Sequence, residues 1–187
     1  MYPATMSLLE ELVNIKDSVR FLILEGPSKW NSLDIVYEQP HIERLWRQIG
    51  EHRLYLHKIY PCHSPFLHPH IWPSAIYGLR GIQEMAIAAP IGPVSDPEDV
   101  DIIARFLIHP GSAYEMLNPY GWHFVNPVDE PSLSIMLTGF PFEKPVYDHA
   151  TFGKGLRHEE LSPTRKNGLL VEFDRALMPS SQWKPVA

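Results

Sequence analysis

Apolar residues near the N-terminus recur at helical spacing: Met6, Leu8, Leu9, Leu12, Val13 and Ile15 approximate one stripe, with Thr5 or Ser7 placed to cap it and carboxylates in the early turns. This pattern predicts an amphipathic helix from Thr5 to about Arg20. A short apolar run, Phe21 to Leu24, then ends at Gly26-Pro27-Ser28. Ile42, Leu45, Trp46 and Ile49 recur at helical spacing again, which predicts a second helix around Gln39 to His52 and a helical extension over residues 1–53. After His52 the texture changes to short apolar runs punctuated by Pro and Gly, as in an all-β sandwich or barrel. The runs are Leu54 to Tyr60, Pro65 to Leu79, Ile82 to Ala88, Val100 to Ile108, Trp122 to Val125, Ser132 to Leu137 and Leu169 to Phe173. In the fourth of these, Ile102, Ala104, Phe106 and Ile108 alternate with Ile103, Arg105 and Leu107, so the pattern predicts a strand covered on both faces. Pro90 to Glu98 reads as a surface loop, and Phe140 to Arg165 has no clear period, leaving the segment after Phe140 open as a lid or a sheet extension.

Composition sets bounds on this picture. A chain of 187 residues, 44% apolar and 20% charged, can bury a substantial core without disulfides, and one domain is expected: residues 54–140 as the barrel core and 141–187 as a C-terminal extension. A net charge of -6 supplies no basic footprint for nucleic acid or anionic lipid. The lone Cys62 cannot form an internal disulfide, and Glu10, Glu11, Lys16 and Asp17 interrupt any apolar leader. No run approaches the ~18 apolar residues of a spanning helix. The expectation is a cytoplasmic protein with neither nucleic acid nor membrane as partner.

The chemistry concentrates between Pro61 and Gly81. His68 and His70 flank Pro69 on strand-like sequence, and side chains two apart in a strand share a face, so both imidazoles can close on one metal ion from one side of a sheet. A third ligand must come from a distant strand, and His123, in Asn118-Pro119-Tyr120-Gly121-Trp122-His123, is the candidate. If the parity continues, Trp72, Ser74 and Ile76 share the histidine face while Ala75 and Tyr77 point away. Arg80 and Arg105 are the cationic candidates for gripping a carboxylate, Arg80 being the weaker because it precedes the turn at Gly81. Glu84, Glu115 and His63 are spare ligand candidates, whereas His109, His149 and His158 sit near turns or loops.

These spacings resemble the cupin superfamily, whose double-stranded β-helix, a jelly-roll barrel, carries two histidine motifs on facing strands. The first motif runs Gly, five residues, His-x-His, three or four residues, Glu, six residues, Gly. Here His68, His70 and Gly81 match, Ser74 stands in the place of the glutamate ligand, and Cys62 in that of the opening glycine. The second motif is matched more loosely by Gly111, Pro119-Tyr120-Gly121, His123 and Asn126. The resemblance implies a mainly β cupin barrel with an N-terminal helical extension, assembling as a homodimer. Without the glutamate, three neutral imidazoles leave a divalent ion its full charge, which favours an anionic substrate. Such sites resemble those of thiol dioxygenases and some ketone-cleaving dioxygenases. The implied cofactor is Fe(II), with Ni, Zn, Cu or Mn as the other metals such ligands suit. The implied function is a dioxygenase acting on a small anionic or chelating organic molecule with O₂, and the catalytic candidates are Ser74, Arg105 and Tyr147. Cys62 and Tyr147 resemble the cysteine and tyrosine near the metal in some thiol dioxygenases, but Cys62 precedes the histidine pair, so a crosslink does not carry over. A non-redox metal-dependent isomerase, lyase or hydrolase, and a non-catalytic ligand-binding cupin, are the rival readings.

Overall fold

A computed structural model describes residues 7–36, 41–65, 67–70, 72–90, 100–118, 121–141 and 157–178. The N-terminal stripe forms α1 (Leu8–Ile15), a single 3₁₀ turn (Lys16–Ser18) and α2 (Val19–Leu24). Ser7 caps α1 reciprocally: its hydroxyl accepts from the Glu10 amide, and the Glu10 carboxylate accepts from the Ser7 amide. Leu12, Val19 and Ile23 are buried against the sheet.

Eleven strands follow among the described residues: β1 (Asn31–Val36), β2 (His41–Ile49), β3 (His52–Ile59), β4 (His68–Pro69), β5 (Ser74–Arg80), β6 (Gln83–Pro90), β7 (Val100–Ile108), β8 (Ala113–Met116), β9 (Trp122–Pro127), β10 (Ser132–Thr138) and β11 (Arg157–Glu159). They make two antiparallel sheets, one ordered β11-β1-β2-β3-β10-β5-β8 and one β4-β9-β6-β7. With β3 counted as the first of eight strands, the large sheet contains first–eighth–third–sixth and the small sheet second–seventh–fourth–fifth. That order is the double-stranded β-helix, a jelly roll that β2, β1 and β11 widen on one side.

Parity separates two cores. On the outer face of the large sheet Leu45, Leu54, Leu56, Ala75, Leu133, Ile135 and Leu137 pack beneath the helices, with Trp30, Leu169, Leu170 and Phe173. On the inner face Tyr55, Ile76 and Met136 cluster with Trp46 and Tyr114. The helix Pro163–Ala176, capped by Ser162, docks on the outer face. Its Arg165 makes a two-pronged bond to the buried carboxylate of Glu43, which also accepts from the Tyr60 hydroxyl at 2.7 Å. Burial alone would raise the Glu43 carboxyl, but the bonds from Arg165 and Tyr60 outweigh it and hold the group below its ordinary 4.5. Burial and the same carboxylate push Tyr60 up to about 12.

Three expectations are corrected here. The segment Gln39 to His52 is no helix: His41–Ile49 is strand β2, joined to β3 by a turn in which Gly50 takes φ +56. Its apolar residues serve two faces, Leu45 and Ile49 the outer core and Trp46 the inner, so their spacing imitated a helix. The run Leu169 to Phe173 lies in the C-terminal helix instead of a strand. Strand β7 is an edge, and it is not covered on both faces: Ile103 and Leu107 are 65% and 55% exposed.

Candidate metal centre

Strands β4 and β9 bring the histidines together. His68 pairs directly opposite His123, and His70 lies two residues beyond His68. Opposed and alternate positions in an antiparallel pair share a face. The ring centroids of His68 and His123, and of His70 and His123, are 4.7 Å apart, and one nitrogen from each ring lies within 4.8 Å of the others. His70 Nε2 and His123 Nε2 approach to 3.0 Å. His123 is buried and the other two are half-buried.

The donor chemistry fits a divalent transition metal. Two imidazole nitrogens at metal–nitrogen bonds of about 2.1 Å and a right angle at the ion stand about 3.0 Å apart, which matches the His70–His123 separation. His70 Nδ1 lies 2.8 Å from Ser74 Oγ, and that hydroxyl donates to the Trp72 carbonyl at 3.3 Å. With its proton committed to Trp72, the Ser74 oxygen accepts from His70 Nδ1–H, which leaves a lone pair on Nε2 facing His123. Burial, then the neighbouring His70 and His68, hold His123 well below the usual histidine range, so it is neutral and able to ligate.

Supporting bonds fix this arrangement. The Asn126 side-chain amide donates to the Cys62 carbonyl and accepts from the Cys62 amide, both at 2.9 Å. It thereby ties the strand carrying His123 to the segment leading into His68. Gly81 holds φ +77 where a Cβ would stand 2.9 Å from Ser132 Cα, so this turn between β5 and β6 requires glycine.

The remaining expected site residues are placed as follows. Ser74 is fully buried at the start of β5, beside His70 as the parity implied, and Ile76 shares its face. Arg105 is a correction: register aligns it with Ala86 and Phe124, so it lies on the opposite face of the small sheet from His123. There it covers the Phe124 ring and bonds Glu84 at 2.7 Å, half-exposed. Glu84 is thereby out of reach of the histidines, and His63 lines the same outer pocket. Glu115 accepts from the Leu9 amide at the start of α1, outside the barrel. Arg80 forms an exposed ion pair with Glu130. Tyr147 lies outside the described residues.

Two inward residues were not anticipated. His57, on β3, is buried, and its Nε2 has no hydrogen-bond partner among the described residues. Burial, then Arg44, His70 and His68, hold its imidazole well below its usual range. Arg44, opposite His57 on β2, leans over the Tyr55 ring at 5.3 Å. The signal for Arg44 was the period-two series Ile42, Arg44, Trp46, Gln48, hidden by the helical reading of that segment. A cleft of about 240 Å³ opens at one end of this inner face, among Arg53, Tyr55, Trp72 and Thr138.

No protein-family model and no curated protein matches the sequence. Among solved structures, the chain is similar in shape to Fe(II)-HppE with the alternative substrate (S)-1-HPP, at 10% identity over 60% of this chain and TM-score 0.48. The chain spans 57% of that protein's length. KdgF from Halomonas sp. aligns at 17% identity over 56% of this chain and 85% of its own, TM-score 0.41. AerE from Microcystis aeruginosa aligns at 17% over 71% and 54%, TM-score 0.43. Strand order within the chain itself gives the architecture: it is the double-stranded β-helix that the cupin resemblance implies, with a three-histidine cluster between its sheets.

Proposed function

We propose that the chain is a mononuclear metal-dependent dioxygenase in which His68, His70 and His123 hold Fe(II) and a small anionic or chelating organic molecule is oxidised with O₂. The observation that carries the reading is the closure of three imidazoles on one point, two of their nitrogens 3.0 Å apart. When bound, the ion supplies the redox chemistry and the open positions for substrate and O₂.

The chain's own residues do the rest. Ser74 fixes the tautomer and ring plane of His70, and the Asn126 clamp keeps His123 in register with His68. His57 closes the site from the large sheet, and Tyr55, Ile76 and Met136 keep its floor dry. Trp72 borders the cleft at the end of the inner face, beside Tyr55 and Thr138. No described residue places a carboxylate in this cluster, which supports a substrate that brings the negative charge itself.

Elemental analysis of purified protein, followed by O₂ uptake after anaerobic loading with Fe(II), tests the reading. Stoichiometric metal, lost in both His70→Ala and His123→Ala while the fold persists, is the expected result. A folded wild type that takes up no divalent metal would overturn it. Metal uptake without O₂ consumption against thiols and diketones would move the reading to a non-redox isomerase or lyase.

A further inference from the structure

His57 is a polar side chain that the protein itself does not answer. It lies in the cross-strand row Arg44–His57–Ser134, beside the row Trp46–Tyr55–Met136–Ile76 that forms the inner apolar cluster. Directly opposed residues in an antiparallel pair point the same way, so the His57 ring faces the lumen. Only 7% of its surface is exposed, and its Nε2 has no hydrogen-bond partner among the described residues. A buried nitrogen in that state opposes folding, and an apolar side chain of similar volume would not. Other buried polar side chains of the lumen are satisfied from within: Gln83 Nε2 donates to Ser132 Oγ at 2.6 Å, and Ser74 is held between His70 and the Trp72 carbonyl. His68 and His70 lie near enough to act electrostatically on the His57 ring, which is nonetheless outside the group whose nitrogens converge within 4.8 Å. A ring at that range is no ligand to the same ion, yet it can reach an atom of a molecule bound there. Burial, then Arg44 on β2, keep it uncharged.

We propose that His57 is a ligand-binding residue of the site: with its proton on Nε2, it donates a hydrogen bond to an acceptor atom of an anion coordinated at the three histidines. The ligand class is thus a small anion that coordinates through one atom and keeps a lone pair on another, as a carboxylate or an enolate does. In the dry lumen such a bond to a charged acceptor is strong, and it turns the anion toward the large sheet. The unanswered nitrogen, which works against the fold, is then put to use when the anion binds. This assignment rests on the metal reading above.

The test uses the full-length protein loaded with Co(II), whose visible spectrum reports ligands entering the metal's coordination, and azide as the probe anion. His57→Leu should weaken azide binding roughly 10- to 100-fold, the range of one hydrogen bond to a charged group. It should leave Co(II) affinity unchanged, and the metal-free variant should unfold at the same denaturant concentration as wild type or a higher one. In His57→Gln the side-chain amide nitrogen reaches the place of Nε2 and should recover most of the azide affinity, whereas the shorter His57→Asn should not. If His57→Leu does not fold, the comparison of His57→Gln with His57→Asn decides. A Co(II)-loaded wild type that binds no azide, or azide affinity unchanged in His57→Leu, overturns the proposal. Stability and azide affinity falling together in all three variants, with no recovery in His57→Gln, would make His57 a structural residue and overturn it as well. A protein with no Co(II) spectrum overturns the metal reading, and this assignment with it.

Discussion

Ser74→Ala removes one oxygen from a fully buried position and probes how a serine in the glutamate's place serves the site. The wild-type oxygen accepts from His70 Nδ1 at 2.8 Å and donates to the Trp72 carbonyl at 3.3 Å. The alanine variant leaves His70 free to rotate and to carry its proton on either nitrogen, so only part of the population presents Nε2 as a lone pair. Losing such an outer partner typically weakens metal affinity 10- to 100-fold, or about 1.4 to 2.7 kcal/mol. The stability loss should be smaller, about 1 kcal/mol, because serine and alanine differ little in volume and one buried hydrogen bond is worth about that much. Competition of Co(II) or Zn(II) against a chromophoric chelator at fixed pH measures the affinity, and a denaturant titration of the metal-free protein measures the stability. Ser74→Thr keeps the hydroxyl and should recover most of the affinity. A Ser74→Ala protein that binds metal as tightly as wild type would refute the role given to this hydroxyl.

Other expectations follow from the same geometry. Gly81→Ala forces a Cβ toward Ser132 at φ +77 and should cost about 1–3 kcal/mol in chemical denaturation. Glu43→Gln breaks a buried carboxylate's bond to Arg165; since Arg165 is 35% exposed, the expected loss is about 2–3 kcal/mol, below the range for fully buried pairs. Because the folded Glu43 carboxyl lies below its ordinary 4.5, its stabilisation is complete above the unfolded value and is lost as pH falls through the folded one. The acid limb of wild-type stability should therefore be steeper than that of Glu43→Gln below about pH 4.5, as urea midpoints across pH will show. Ile103→Lys, on an exposed stretch of β7, should change stability by less than about 0.5 kcal/mol and raise solubility, read by unfolding and by precipitation assays.

The barrel and its histidines were legible because they rest on short-range rules. Alternation placed His68, His70, Ser74 and Ile76 on one face, and that face is the lumen. The errors arose where one period serves two environments. In β2, helices cover one face and the lumen takes the other, so Leu45, Trp46 and Ile49 are all at least partly buried and their spacing mimics a helical stripe. That spacing concealed Arg44, which faces inward opposite His57. In β7 the opposite happened: apolar residues on both faces promised burial, yet the strand ends a sheet. The C-terminal helix could have been found from Ser162-Pro163, a cap followed by proline in the first turn, and from Leu169, Leu170, Phe173 and Ala176 at helical spacing. Residue type alone makes Arg105 a site candidate, and only the register with Ala86 and Phe124 shows which side of the sheet it occupies.

The Asn126 clamp on Cys62 has a consequence in chain statistics. These residues are 64 apart in sequence, and closing a loop of that length costs about 4 kcal/mol of entropy before any contact rewards it. Here the amide of one side chain, acting as an extra rung of the small sheet, helps hold that loop shut by protein bonds alone. An arriving ion then has little chain left to gather, unlike the ion of a zinc finger, whose binding must organise the fold. Stripping the metal should therefore leave the amides of β4 and β9 protected from hydrogen exchange, with the vacancy confined to the imidazoles themselves.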